Sequence, residues 1–201
     1  MAVADEVKTI VRLLMQRPIT EEIAREVETH EGFEHLEIED GNWVGFDEDP
    51  YMSGEEHGWI EAKLAALFTL WALENRAGRV YTGDTNFILS GNRETLEEKR
   101  RPDVAFVRRE RVVETTGYLF LAPDLAIEII SPTEKPYEIR GKLNVYLRFG
   151  VQRVWQVYPQ TQEIVVTFAD GTSRTYRPSD TLTDPELLPG FNLEVVMVFE
   201  A

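Results

Sequence analysis

Between Leu125 and Ile130 the chain reads Leu-Ala-Ile-Glu-Ile-Ile, five apolar residues around one carboxylate. A short unbroken apolar run of this kind marks a strand covered on both faces. Such a strand belongs inside a sheet, with further layers packed over it. Glu128 is the constraint. A carboxylate in a covered strand is costly unless it is paired or holds a cation. By the two-residue period, Ala126, Glu128 and Ile130 share one face.

A second strand is predicted over 102–107, with Asp103, Ala105 and Val107 on one face. If the two strands are neighbours, Asp103 and Glu128 converge. Two close carboxylates raise each other's pKa unless a cation lies between them, and a hard divalent ion relieves the repulsion. The spacing of Ile139, Leu143, Tyr146 and Leu147 predicts a helix over 137–149, closed by Gly150. Lys142 lies at the edge of that stripe, beside Ile139 and Tyr146. A metal ion, two carboxylates and an ammonium suit phosphodiester hydrolysis, where charge builds up on phosphate oxygens. Residue chemistry alone leaves other roles open. Glu128 could pair with Arg140 or Lys142, Asp103 could be a turn residue after Pro102, and Lys142 could be a solvated helix lysine.

The rest of the chain reads as helices first and strands afterwards. Helices are expected over 5–16 and from Thr20 onward. Asp40-Gly41, between Leu36/Ile38 and Trp43/Val44/Phe46, reads as a hairpin. Ser53 and Glu56 form a capping box ahead of a long helix. Its stripe is Ile60, Leu64, Leu67 and Trp71, widened by Leu70 and Leu73, with Gly78 as its stop. Further strands are expected near 79–83, 86–90, 153–158, 162–168 and 172–177. Asp124 reads as a turn or strand-start residue. The order gives a mixed α/β (α+β) fold rather than a repeating βαβ series.

Cysteine is absent, so disulfide scaffolds, thiolate zinc sites and cysteine nucleophiles are excluded. No apolar run is long enough to span a membrane, and the first residues do not resemble a secretion signal, so a cytoplasmic location is expected. The net charge of −15 speaks against a nucleic-acid partner until its distribution is considered. Residues 1–62 hold 17 acidic against 4 basic residues, leaving 19 against 17 in the remainder. Lys99, Arg100, Arg101, Arg108, Arg109 and Arg111 cluster around Asp103 and are expected to meet a phosphate backbone.

Four motifs occur in order: Pro102-Asp103; Asp124-Leu-x-x-Glu128-x-x-Ser131-Pro132; Gly141-Lys142-Leu143-x-x-Tyr146; and Gly150-Val151-x-x-x-Trp155. Together with His57-Gly58-x-Ile60 and Leu188-Pro189-Gly190-Phe191, they resemble the Uma-type endonuclease family of the PD-(D/E)XK, or restriction-endonuclease-like, superfamily. The resemblance covers roughly residues 19–199. It implies a restriction-endonuclease-like core over 51–201, with a mixed central sheet flanked by helices. Residues 1–50 would form a helical and hairpin extension packed on that core, all in one structural domain. It implies a Mg²⁺- or Mn²⁺-dependent endonuclease acting on DNA, with homodimerisation as a further expectation. Asp103 and Glu128 would be the metal ligands. The motif's usual lysine position is Ile130, and Lys142 from the following helix would replace it. Glu61 and His57 are further candidates, Glu61 as the acid from the first core helix. The rival expectation is a catalytically idle DNA- or protein-binding module on the same fold.

Overall fold

The computed structural model describes residues 2–46 and 54–200, with the backbone alone for 2–5. In chain order the elements are α1 (Ala2–Leu14), α2 (Glu21–Glu28), β1 (Glu37–Glu39), β2 (Asn42–Val44), α3 (Glu55–Glu74), β3 (Gly78–Thr82), β4 (Phe87–Asn92), β5 (Thr95–Arg100) and β6 (Val104–Arg108). They continue with β7 (Leu125–Ile129), α4 (Pro136–Arg148), β8 (Arg153–Tyr158), β9 (Glu163–Phe168), β10 (Ser173–Tyr176), β11 (Thr181–Asp184), β12 (Leu188–Glu194) and α5 (Val196–Phe199). Two compact units result. One comprises Met1–Met52, Asn86–Arg101 and Thr115–Leu121; the other comprises Ser53–Thr85, Pro102–Glu114 and Ala122–Ala201. No helix among the described residues is long and apolar enough to cross a membrane.

The first unit is built on a four-stranded sheet in the order β2-β1-β5-β4. The expected hairpin is β1–β2. Asp40 and Gly41 both have positive φ, 46° and 72°, which suits the tight turn between right-twisted strands. Leu13, Ile19, Ala24, Val27, Ile38, Trp43 and Leu96 form the core of this unit. β5 has no counterpart among the expected strands. Its last three residues, Glu98, Lys99 and Arg100, are all buried. Lys99 pairs with Glu28, and Arg100 pairs with Glu98 at 2.6 Å and Glu39 at 3.0 Å. This strand is buried through ion pairs rather than apolar side chains, so its sequence lacks the hydrophobic signal of a strand.

The second unit holds a six-stranded sheet, β10-β9-β8-β7-β6-β3, and the separate β11–β12 pair. β7 and β8 are parallel and every other pair in the large sheet is antiparallel. α4 makes the crossover that a parallel pair requires. Leu125, Ile127 and Ile129 of β7 face a core containing Ile60, Leu64, Phe68 and Trp71 of α3. Phe68 stacks on Phe191 at 4.4 Å and meets Trp155 edge-on at 5.3 Å. The alternate residues Ala126 and Glu128 turn to the other face, where Tyr146 of α4 is fully buried.

Three readings of this region need correction. The buried stripe of α3 runs through Phe68 and Ala72, while Leu70 and Leu73 are 60% and 70% exposed. The helix is apolar nearly all round, so periodicity could not choose its inner face. Gly78 does not stop α3, which ends at Glu74 with the Asn75 side chain donating to the Trp71 carbonyl at 2.9 Å. Gly78 instead opens β3, where a Cβ would stand 2.1 Å from the Val107 carbonyl oxygen. Asp124 is more than a turn residue. It is fully buried and takes ion pairs from Arg108 at 3.0 Å and Arg111 at 2.7 Å. The expected cap residue Ser53 lies outside the described residues.

Candidate functional site

The register of the large sheet builds the site. β6 and β7 pair Val104 with Ile127, so one step further Asp103 comes opposite Glu128. β3 and β6 pair Thr82 with Val104, which sets Gly83 on the other side of Asp103. β7 and β8 pair Glu128 with Gln156. Gly83, Asp103, Glu128 and Gln156 therefore fall in one row across the sheet. Asp103 is anchored there, with its Oδ2 accepting from the Ile129 N–H at 2.6 Å.

The first turns of α3 add two groups. His57 and Glu61 are four residues apart and so share one side of the helix. His57 Nε2 lies 3.4 Å from Asp103 Oδ1. Glu61 Oε1 accepts from the Gly83 N–H at 3.3 Å. One donor atom from each of His57, Glu61 and Asp103 lies within 4.8 Å of the others, and all three residues are partly solvent-accessible.

Charge is concentrated here. Hydrogen bonding to Asp103 raises the His57 pKa above its ordinary value; burial opposes this, and the charges of Asp103, Glu61 and Glu128 add to it. Burial raises the Glu61 pKa, the Asp103 charge adds, and the Gly83 N–H and His57 pull the other way. Carboxylates crowded enough to perturb each other in this way are stabilised by a cation.

α4 supplies the remaining side chains. Lys142 Nζ lies 3.8 Å from Glu128 Oε2 and 3.2 Å from Glu134 Oε1. Tyr146 donates its hydroxyl to Glu128 Oε1 at 2.6 Å. Arg140 is exposed. Glu134 is itself held, accepting from the Ser131 N–H at 2.9 Å through Oε2. Asp103 and Glu128 are thus neighbours in the strand register, with His57 and Glu61 beside Asp103 and Lys142 beside Glu128. The roles of Glu134 and Tyr146 were not legible beforehand. Tyr146 read as one residue of an apolar stripe, and the Ser131–Glu134 spacing signals only a local turn.

The basic cluster behaves differently from its sequence reading. Lys99 and Arg100 are buried on glutamates and present no charge to a phosphate backbone. Arg101 donates its side chain to the Glu34 carbonyl and its N–H to Glu37 at 2.9 Å. Arg108 and Arg111 are committed to Asp124. Arg109, in a 3-10 turn of residues 109–111, is exposed.

The model of the Uma2 family, described as "Putative restriction endonuclease", matches residues 31–196. No curated protein matches the chain. Among solved structures, the chain is similar to a "putative nuclease belonging to DUF820 from Anabaena variabilis ATCC 29413", a crystal structure at 1.96 Å. The TM-score is 0.72 at 19% identity, over 90% of this chain and 98% of that one. At that identity the likeness shows a shared fold.

Proposed function

The chain belongs to the Uma2 family, and from that premise we propose that it is a divalent-metal-dependent nuclease that hydrolyses phosphodiester bonds in DNA. The observation that carries this reading is the meeting of Asp103 and Glu128 at one row of the sheet, with Lys142 3.8 Å from Glu128. The donor set fits a divalent ion. Asp103, Glu61 and His57 bring two carboxylates and an imidazole together with enough solvent access for an ion to enter, and the strand register sets the Glu128 carboxylate next to Asp103. Asp103 and Glu128 would hold the ion, with Glu61 and His57 beside them. A divalent ion bound there would polarise a phosphate oxygen and make a bound water more acidic.

The chain's own residues supply the rest. The Ile129 N–H fixes one oxygen of Asp103, leaving the other facing His57. Tyr146 fixes Oε1 of Glu128, so Oε2 is the oxygen turned to Lys142. Glu134 keeps the Lys142 ammonium beside Glu128, at the strand position where charge would develop on a bound phosphate. Lys142 would thus stand in for the motif's usual lysine, whose position is occupied by Ile130.

Purified protein with Mn²⁺ or Mg²⁺ is expected to nick supercoiled plasmid, and a chelator should stop it. Asp103→Asn and Glu128→Gln should remove the activity. Lys142→Ala should lower it by about 10²–10³-fold, the usual loss when one preorganised electrostatic group is deleted. Undiminished nicking by Glu128→Gln would refute the assignment. The rival is a DNA- or protein-binding module without hydrolysis, favoured by Ile130 at the lysine position. Wild-type protein that binds DNA but never nicks it, with either ion, would establish the rival.

A further inference from the structure

Among the described residues, the candidate metal cluster contains one nitrogen donor, His57. Carboxylate and water oxygens are the ordinary partners of Mg²⁺, which loses its waters reluctantly. Imidazole belongs with first-row transition ions, whose affinities rise from Mn²⁺ through Co²⁺ to Ni²⁺. The identity of residue 57 therefore bears directly on which ion the site takes.

His57 is poised as a ligand rather than as a structural partner. Its Nε2 stands 3.4 Å from Asp103 Oδ1. A settled charge-assisted hydrogen bond is shorter, about 2.7–2.9 Å. Its Nδ1 is buried and has no hydrogen-bond partner among the described residues. Nε2 is the ring nitrogen turned to the Asp103 carboxylate, so an ion held by Asp103 would lie within its reach. The ring is also held in place. Its helix is anchored by fully buried Leu64 and nearly buried Ile60, and Glu61 one turn on is tied to the Gly83 N–H. Asp103, the oxygen donor beside it, is tied to the Ile129 N–H. The donors are thus set before any ion arrives.

We propose that His57 ligates the metal directly through Nε2 and makes the site selective for a transition ion, Mn²⁺ in ordinary conditions, over Mg²⁺. This rests on the metal reading above and adds the identity of the ion to it. It also assigns the α3 histidine a role that the Asp103/Glu128 pair does not require.

Metal titration and pulsed electron paramagnetic resonance test it without reference to activity. Calorimetry on the full chain with Mg²⁺, Mn²⁺, Co²⁺ and Ni²⁺ should give affinities rising in that order. The spin echo of bound Mn²⁺ should carry nitrogen modulation from an imidazole. His57→Gln should remove the modulation. It should also weaken Mn²⁺ binding by about tenfold or more, since even partners behind a ligand are worth about 10–100-fold. Mg²⁺ affinity should change much less. His57→Asp makes the set all-oxygen and should shift the preference towards Mg²⁺. Bound Mn²⁺ without nitrogen modulation would overturn this inference while leaving the metal reading intact, as would an unchanged Mn²⁺-to-Mg²⁺ ratio in both variants. Failure of the wild-type chain to bind any of the four ions would overturn both.

Discussion

Tyr146→Phe isolates the support behind Glu128. The substitution removes one oxygen and keeps the ring, so packing against the sheet is conserved. The lost bond is short, 2.6 Å, and runs from a fully buried hydroxyl to a carboxylate that is itself only 9% exposed. A hydrogen bond to a charged group contributes about 1.5–3 kcal/mol, and its value is highest where water cannot replace it. For a chain of this size each kcal/mol moves the melting temperature by about 2–4 °C, so a fall of about 3–12 °C is expected. The loss should also reach the metal. With Oε1 released, the carboxylate is no longer held in one orientation, and Mn²⁺ affinity should drop by about 10–100-fold, as for other groups that orient a ligand. Thermal melts without metal and calorimetric Mn²⁺ titrations measure the two effects separately. A variant that melts like the wild type and binds Mn²⁺ equally well would refute the role given to Tyr146.

Three further outcomes are expected. Lys99→Met should destabilise the chain by about 3–5 kcal/mol in urea unfolding, because it leaves Glu28 without its buried partner; weakened DNA binding by a fully folded variant would instead return Lys99 to the surface role. Gly78→Ala should lower the melting temperature and loosen β3, since its Cβ would stand 2.1 Å from the Val107 carbonyl oxygen; an unchanged melt would contradict that close approach. Metal affinity should fall as the pH drops through the raised pKa of His57, because Asp103 favours the protonated ring while a metal takes only the neutral one. Titrations in buffers of different ionisation enthalpy should show proton release on binding at and below that pKa, and pH-independent affinity across it would exclude His57 as a ligand.

The site was legible where its logic is local. An apolar run around Glu128 implies a covered strand. Alternation places Asp103 and Glu128 on meeting faces once β6 and β7 are neighbours, and their register bears this out. Lys142 followed from its place beside the α4 stripe. What escaped depends on distant partners. β5 is hidden because Glu98, Lys99 and Arg100 are buried by pairing, some of it with Glu28, Glu37 and Glu39 from much earlier in the chain. A run of basic residues reads as surface until the acids that neutralise it are located in space. The face of α3 was misjudged for the opposite reason, since Leu70 and Leu73 are as apolar as Phe68 and only packing separates them. Within the site, His57 and Glu61 sit on the same side of α3, but their proximity to Asp103 depends on how the helix crosses the sheet.

Anomalous diffraction at the manganese edge, from crystals grown with Mn²⁺, tests the central claim most directly. A peak within coordination distance of the Asp103 and Glu128 carboxylates, with the Lys142 ammonium beside it, is the expected result. A fully bound ion elsewhere, or none at these carboxylates at saturating Mn²⁺, would contradict the assignment of this row as a nuclease centre.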